Sequence, residues 1–165
     1  MLLTVVEHPD PRLTAQCSNV GVFDAALNKL VDSMIDVMYT KAGVGLAAPQ
    51  VGVLQRLVII DPSAGDEANQ LVTLINPSVT WRSVEKETEA EGCLSMPGTI
   101  LQVPRSVAVD VEYHDVKGLR QVMRCNGFKA RIVQHEVDHL DGIMMFERAS
   151  NLARMLAKKS IGKIR

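Results

Sequence analysis

Cysteine is scarce in this 165-residue chain, with Cys17, Cys93 and Cys125 the whole supply. So odd and sparse a set does not make a disulfide framework, and a reducing compartment is the simpler expectation. Long apolar runs are missing as well, and none approaches the roughly 20 residues that cross a bilayer. The apolar start, Met1 to Val6, runs straight into Glu7-His8-Pro9 and lacks the basic leader and small-residue cleavage site of a signal peptide. Charge of one sign is not in excess either. The formal net charge is −1, so no global field draws the chain to nucleic acid or to an anionic membrane. Its one basic concentration is the last eight residues, with Lys158, Lys159, Lys163 and Arg165. Repeats, low-complexity stretches and long Pro/Gly/Ser linkers are absent, which leaves one domain over residues 1–165. The cytoplasm is the expected setting, and an organelle after removal of a transit peptide is equally compatible.

What is present suffices for one core: 47% of residues are apolar and 22% charged. From Phe23 to Tyr39 the spacing predicts a helix whose apolar face holds Phe23, Leu27, Leu30, Met34 and Val37. Two glycines in Lys41–Gly45 break it. Leu57–Asp61 and Leu71–Ile75 read as short buried strands closed by Asp-Pro and Asn-Pro. Val107–Tyr113 alternates and is followed by Leu119–Cys125, a hairpin pattern. A second helix spans about Phe128 to Leu140, with Gly142 placed to cap it. A short final helix, Ala149–Lys159, is expected to bury Leu152, Met155 and Leu156. Strands and helices mix without regular β-α-β alternation, so the expected class is α+β.

The sharpest chemical signal is His135-Glu136-Val137-Asp138-His139. On a helix, residues i and i+4 share a face, so both imidazoles can reach one metal ion. Glu136 then leans over the open position, where it can take a proton from water. A hydrolytic site needs a third protein ligand. Met145 occupies the position of a downstream third histidine and is a poor donor to a hard ion. Glu147 lies only eight residues past His139, close for a separate element to return it. The search therefore turns upstream, to Glu91-Gly92-Cys93-Leu94-Ser95-Met96-Pro97-Gly98, where a strand ends in a shaped turn that can aim a thiolate and a backbone N–H at one centre. Cys17 and Cys125 read as small buried hydrophobes. Gly43-Val44-Gly45-Leu46-Ala47-Ala48-Pro49-Gln50 allows close backbone approach and is not a P-loop, since no Gly-Lys-Ser/Thr follows.

Together, G-V-G-L-A-A-P-Q, E-G-C-L-S and Q-H-E-V-D-H-L resemble, in order and spacing, the three signature motifs of the peptide deformylases. His8-Pro9-Asp10-Pro11-Arg12-Leu13 also looks like that family's N-terminal segment. The resemblance implies an α+β fold with antiparallel sheets around a central metal-binding helix, plus an N-terminal and a short C-terminal helix. It implies Cys93, His135 and His139 as metal ligands, Glu136 as general base and acid, and Gln50 with the Leu94 N–H as the oxyanion site. Gly43, Val44, Gly45 and Ile132 would bind substrate, with Leu94 adding to the apolar pocket for the methionine side chain. The implied metal is ferrous iron, with zinc, nickel or cobalt able to take the same ligands. The implied substrate is an N-formylmethionyl peptide, with the ribosome as a further partner, and neither nucleic acid nor membrane is expected to bind directly. Arg131 and Ile100 depart from the family pattern and are expected at the outer rim of the peptide site. A zinc peptidase with Glu147 as third ligand is the rival, and so is a closed structural metal site.

Overall fold

The computed structural model describes residues 2–66 and 69–162, with side chains as far as Leu156. Its main layer is a five-stranded antiparallel sheet, built from β1 (Gly45–Ala47), β2 (Leu57–Ile60), β3 (Val72–Arg82), β6 (Ala108–His114) and β7 (Arg120–Asn126), in the order β1-β2-β3-β6-β7. A separate hairpin pairs β4 (Lys86–Gly92) with β5 (Ile100–Ser106). Among the described residues four α-helices complete the α+β fold: α1 (Ala25–Thr40), α2 (Gly127–Leu140), α3 (Met145–Arg148) and α4 (Asn151–Gly162).

Both faces of the sheet are covered, which explains why β2 is an unbroken apolar run rather than an alternating one. Val58 and Ile60 face α2 together with Val109, Val111, Val133, Val137 and Leu140. Leu57 and Ile59 face α1, against Leu27, Leu30, Met34 and Met38. A third cluster, with Leu13, Met96, Val103, Met144 and Met145, lies beside the β4–β5 hairpin. Cys17 and Cys125 are core residues, as expected.

Several boundaries differ from the sequence reading for local reasons. Helix α1 starts after Asp24, whose carboxylate caps the Leu27 N–H at 2.9 Å, so Phe23 stands outside it. Its end is turned by Ala42 at φ 54°, not by the two glycines, and Gly43 N–H bonds back to Met38 O at 2.9 Å. Asn-Pro does not close β3. Asn76 takes φ 51° at an irregularity in the ladder, and the strand resumes to Arg82. The final helix forms, yet Leu152, Met155 and Leu156 are exposed at 68%, 60% and 56%. Helical period picks out an amphipathic face but not whether anything lies opposite, and α4 touches the rest of the fold mainly at α3 and β5. Of the C-terminal basic group, Lys163 and Arg165 fall outside the described residues, as do the side chains of Lys158 and Lys159.

Helix α2 runs through the centre, and every residue from Ala130 to Leu140 is buried. It follows β7 directly through Gly127 at φ 56°. At its other end Ile143 N–H bonds Asp138 O at 2.9 Å, and Gly142 takes φ 72°. A Cβ on Gly142 would lie 2.5 Å from Thr14 O, so only glycine fits there.

Away from the cleft, Tyr39 donates to the buried carboxylate of Asp61 at 2.6 Å. That bond, then burial, push the Tyr39 phenol up to about 12. A raised folded-state pKa stabilises fully below the unfolded value of about 10 and is lost as pH climbs toward 12. The urea midpoint should therefore fall across that alkaline window, and Tyr39→Phe should flatten the fall. An unchanged slope in Tyr39→Phe would assign the alkaline loss elsewhere.

Candidate metal centre and active site

Strand β4 ends at Gly92, and the chain turns at once. Met96 N–H closes onto Cys93 O at 2.9 Å, leaving the N–H groups of the central residues Leu94 and Ser95 outside the turn's own hydrogen bond. This turn faces the middle of α2. The Sγ of Cys93 and one ring nitrogen each of His135 and His139 lie within 4.8 Å of one another, with Cys93 Sγ 3.3 Å from His139 Nε2. Among the described residues this is the one group of three or more such donors close enough to hold an ion. One soft sulfur and two imidazoles suit a divalent transition metal.

Burial disfavours the charged form of His135, but neighbouring Cys93 and Glu91 outweigh it and hold its pKa well above the usual value. Burial, then the charges of His135 and Arg105, keep His139 well below it. Glu136 is pushed up to about 7 by burial, and its Oε2 is buried with no hydrogen-bond partner in the protein. A carboxylate so placed is poised to exchange a proton near neutral pH. Its position rests on Gly45, since a Cβ there would stand 2.5 Å from Glu136 Oε1.

Gln50 is 1% exposed, and its amide orientation is set by its neighbours. Oε1 must be the acceptor, because it takes the Ala47 N–H at 2.9 Å. Nε2 therefore points the other way, 3.6 Å from Cys93 Sγ and 3.3 Å from Ser95 Oγ. Two strap bonds hold these loops together from the N-terminal segment: Val6 N–H to Gln50 O at 2.7 Å and His8 N–H to Ser95 O at 2.8 Å.

A cleft of about 610 Å³ opens onto the group. Gly43, Val44, Gly45, Gln50, Cys93, Leu94, Ile132, His135 and Glu136 all border it, so the residues expected to bind metal and substrate converge, with His139 reaching the cluster from behind. Glu147 does not join them. Its carboxylate caps its own short helix, accepting the Met144 N–H at 2.8 Å. Ile100 stands at the rim and is exposed, as expected. Arg131, expected at the outer rim, does border the cleft but is only 5% exposed. It donates to Glu91 at 2.6 Å, to Val103 O at 2.7 Å and to Glu87 O at 2.8 Å, pinning the β4–β5 hairpin to α2.

The sequence reading gave no role to the buried ions behind the histidines. Glu91 meets His135 Nδ1 at 2.8 Å and receives a two-pronged bond from Arg105 at 2.9 and 3.0 Å. Burial works against the Glu91 carboxylate, but His135 and Arg105 prevail and bring it down to about 2. Glu91 is the one buried member of β4. In the run Glu85-Lys86-Glu87-Thr88-Glu89-Ala90-Glu91 nothing local distinguishes it from a solvated face. Asp138 offered a clue, as a carboxylate within a buried stretch of helix must find a cation elsewhere.

Residues 2–155 match the family model described as polypeptide deformylase. A peptide deformylase of Thermodesulfovibrio yellowstonii is 40% identical over 158 residues, covering 96% of this chain and 95% of that one. One from Zymomonas mobilis is 42% identical over 163 residues, covering 96% and 92%. The crystal structure of a plant peptide deformylase superposes with a TM-score of 0.95 at 36% identity, covering 98% of this chain and 88% of that one. Sequence and fold agree over nearly the whole length, and on that ground the chain belongs to the polypeptide deformylase family.

Proposed function

We propose that Cys93, His135 and His139 hold the divalent metal on which this hydrolase family depends, and that Glu136, Gln50 and Leu94 carry out the proton transfers and charge stabilisation around it. The enzyme removes the formyl group from the N-terminal formylmethionine of new polypeptides, releasing formate. The observation that carries the site assignment is the close grouping of one thiol and two imidazoles beside a buried, unpartnered carboxylate.

Held by Cys93, His135 and His139, a divalent metal would supply Lewis-acid polarisation of a carbonyl and would lower the pKa of water toward neutrality. The protein's own groups supply the rest. Glu136 accepts the proton of the attacking water and passes it to the departing amine, one group serving in both directions. Negative charge gathering on the formyl oxygen is met by the Nε2–H of Gln50 and the N–H of Leu94. Strand β1 is the sheet edge, and Gly43, Val44 and Gly45 border the cleft, a surface where an extended peptide can add alongside. Val44, Leu94 and Ile132 form the apolar wall for the methionine side chain. A formyl carbon bears only hydrogen, so a narrow site admits it and rejects acetyl groups and internal peptide bonds.

Ferrous iron is the metal of this reading. Zinc, nickel or cobalt would fit the same donors, and the general affinity order favours zinc over ferrous iron, so supply decides. Association with the ribosome that makes those polypeptides belongs to the same reading. No described helix is long and apolar enough to cross a membrane, and the reading places the enzyme where formylated chains are made, in a bacterial-type cytoplasm or an organelle. Anaerobic, iron-loaded protein should release formate from formyl-Met-Ala-Ser and leave acetyl-Met-Ala-Ser intact. Cleavage of internal bonds without formate would overturn the assignment.

Gln50 provides a finer test because its two amide atoms have separate partners. Gln50→Glu can still accept the Ala47 N–H but puts negative charge beside Cys93 in place of a donor. Gln50→Ala loses both. Turnover should fall by about 10²–10³-fold in Gln50→Ala, roughly 2.7–4 kcal/mol, with kcat affected more than KM. Gln50→Glu should lose at least as much turnover while keeping the higher thermal midpoint of the two. Turnover that tracks the midpoint in both variants would make Gln50 a loop brace only.

A further inference from the structure

Behind the cleft, charged side chains alternate in sign from the surface to His135. Arg148, on α3, grips Asp138 with two bonds, Nη2 to Oδ1 at 2.8 Å and Nε to Oδ2 at 3.1 Å. Oδ2 of Asp138 also accepts from Arg105 at 2.5 Å. The opposite edge of the Arg105 guanidinium grips Glu91, and Glu91 meets His135 Nδ1. The side chains of Arg105, Glu91 and Asp138 are all less than a tenth exposed, whereas that of Arg148 is 45% exposed. We propose that Arg148, outside all three sequence motifs, is a positioning residue for the metal ligand His135, acting through Asp138, Arg105 and Glu91.

Planarity is what transmits the effect. A guanidinium bound through two nitrogens to a carboxylate fixes the plane of both groups. Arg148 fixes Asp138, so the single Asp138–Arg105 bond has a defined direction. Arg105, with Arg131 bonded to the same carboxylate, in turn fixes the plane of Glu91, and the Glu91 carboxylate sets the tilt of the His135 ring. Without Arg148, Asp138 keeps one cationic partner and gains freedom to rotate, and the slack passes inward. Charge alone predicts the opposite sign. Removing a cation near a cation site should favour metal binding, so the direction of the change separates orientation from simple electrostatics.

The inference rests on His135 being a metal ligand, as proposed above. Its test is the rate at which zinc- or cobalt-loaded protein loses its ion to a chelator, together with the visible absorption of the cobalt form. Partners behind a metal-bound histidine are commonly worth 10–100-fold in affinity. Arg148→Met, several links away, should sit at the low end, releasing the ion about tenfold faster and shifting the cobalt bands. Arg148→Lys keeps the charge but not the fork, so it should not restore wild-type behaviour. Arg120→Met, which breaks the exposed pair with Glu112, should leave release unchanged. Wild-type release from Arg148→Met, slower release, or full rescue by lysine would each overturn the proposal, even if the thermal midpoint drops. Failure of the underlying site reading looks different: the wild-type protein takes up no ion, or retains it after Cys93→Ala.

Discussion

Cys93→Ala should leave a folded protein that carries almost no metal after gel filtration, where the wild-type protein carries about one ion per chain. Partners that merely orient a ligand are worth 10–100-fold in metal affinity, so loss of a ligand itself should exceed that range. The other two cysteines provide the controls. Cys17 and Cys125 sit in the core between the sheet and α2, and neither belongs to the donor group around Cys93. Alanine at either should cost on the order of 1 kcal/mol of stability through lost packing, with metal content and formate release per folded molecule preserved. Metal loss of similar size in all three variants would trace the effect to general loosening of the fold. Full metal retention in Cys93→Ala would remove the thiol from the ligand set.

Glu136→Gln should keep the metal and lose the reaction. The amide has the same shape, so the close contact with Gly45 survives, but it cannot take the proton of an attacking water. General acid–base catalysis is typically worth on the order of 10²–10⁴-fold, and here one carboxylate serves for both proton transfers, so the upper part of that range is expected. Burial brings Glu136 to about 7 in the protein, close to where such a group works best at neutral pH. Metal analysis and single-turnover formate release on the same sample make the comparison. Near-normal turnover at full metal occupancy would hand the proton to another group.

The grouping of Cys93, His135 and His139 was legible in the sequence because helical period alone puts His135 and His139 on one face, and Gly92 with the following turn signalled a strand end at Cys93. The class of fold was legible for a related reason: the β6–β7 hairpin and helices α1 and α2 are each written in local period. Other features depend on what lies across from a residue. Glu91 is buried only because Arg105 and Arg131 reach it from β5 and α2. Arg131 looks like a surface charge until the hairpin folds over it. The apolar face of α4 was readable as a stripe, but whether it met a neighbour was not. Asn76 illustrates a different limit, since Asn-Pro commonly ends a strand, yet here hydrogen bonds between Asn76 and the backbone of Val20 hold the irregularity within a longer one.

The two strap bonds from Val6 and His8 have a consequence in time. Their partners, Gln50 and Ser95, lie far along the chain, and Gln50 and Ser95 are themselves 45 residues apart. Cys93 and His139 are separated by 46. Contacts this distant must close large loops before they return any stability, and they are slow to form. During synthesis Val6 and His8 emerge before their partners and have nothing to grip until both loops exist, and His139, the last of the proposed ligands, follows later still. A chain still being made can thus hold part of its sheet while remaining chemically silent. The proposed site is complete only late, once Val6 and His8 are fastened onto Gln50 and Ser95.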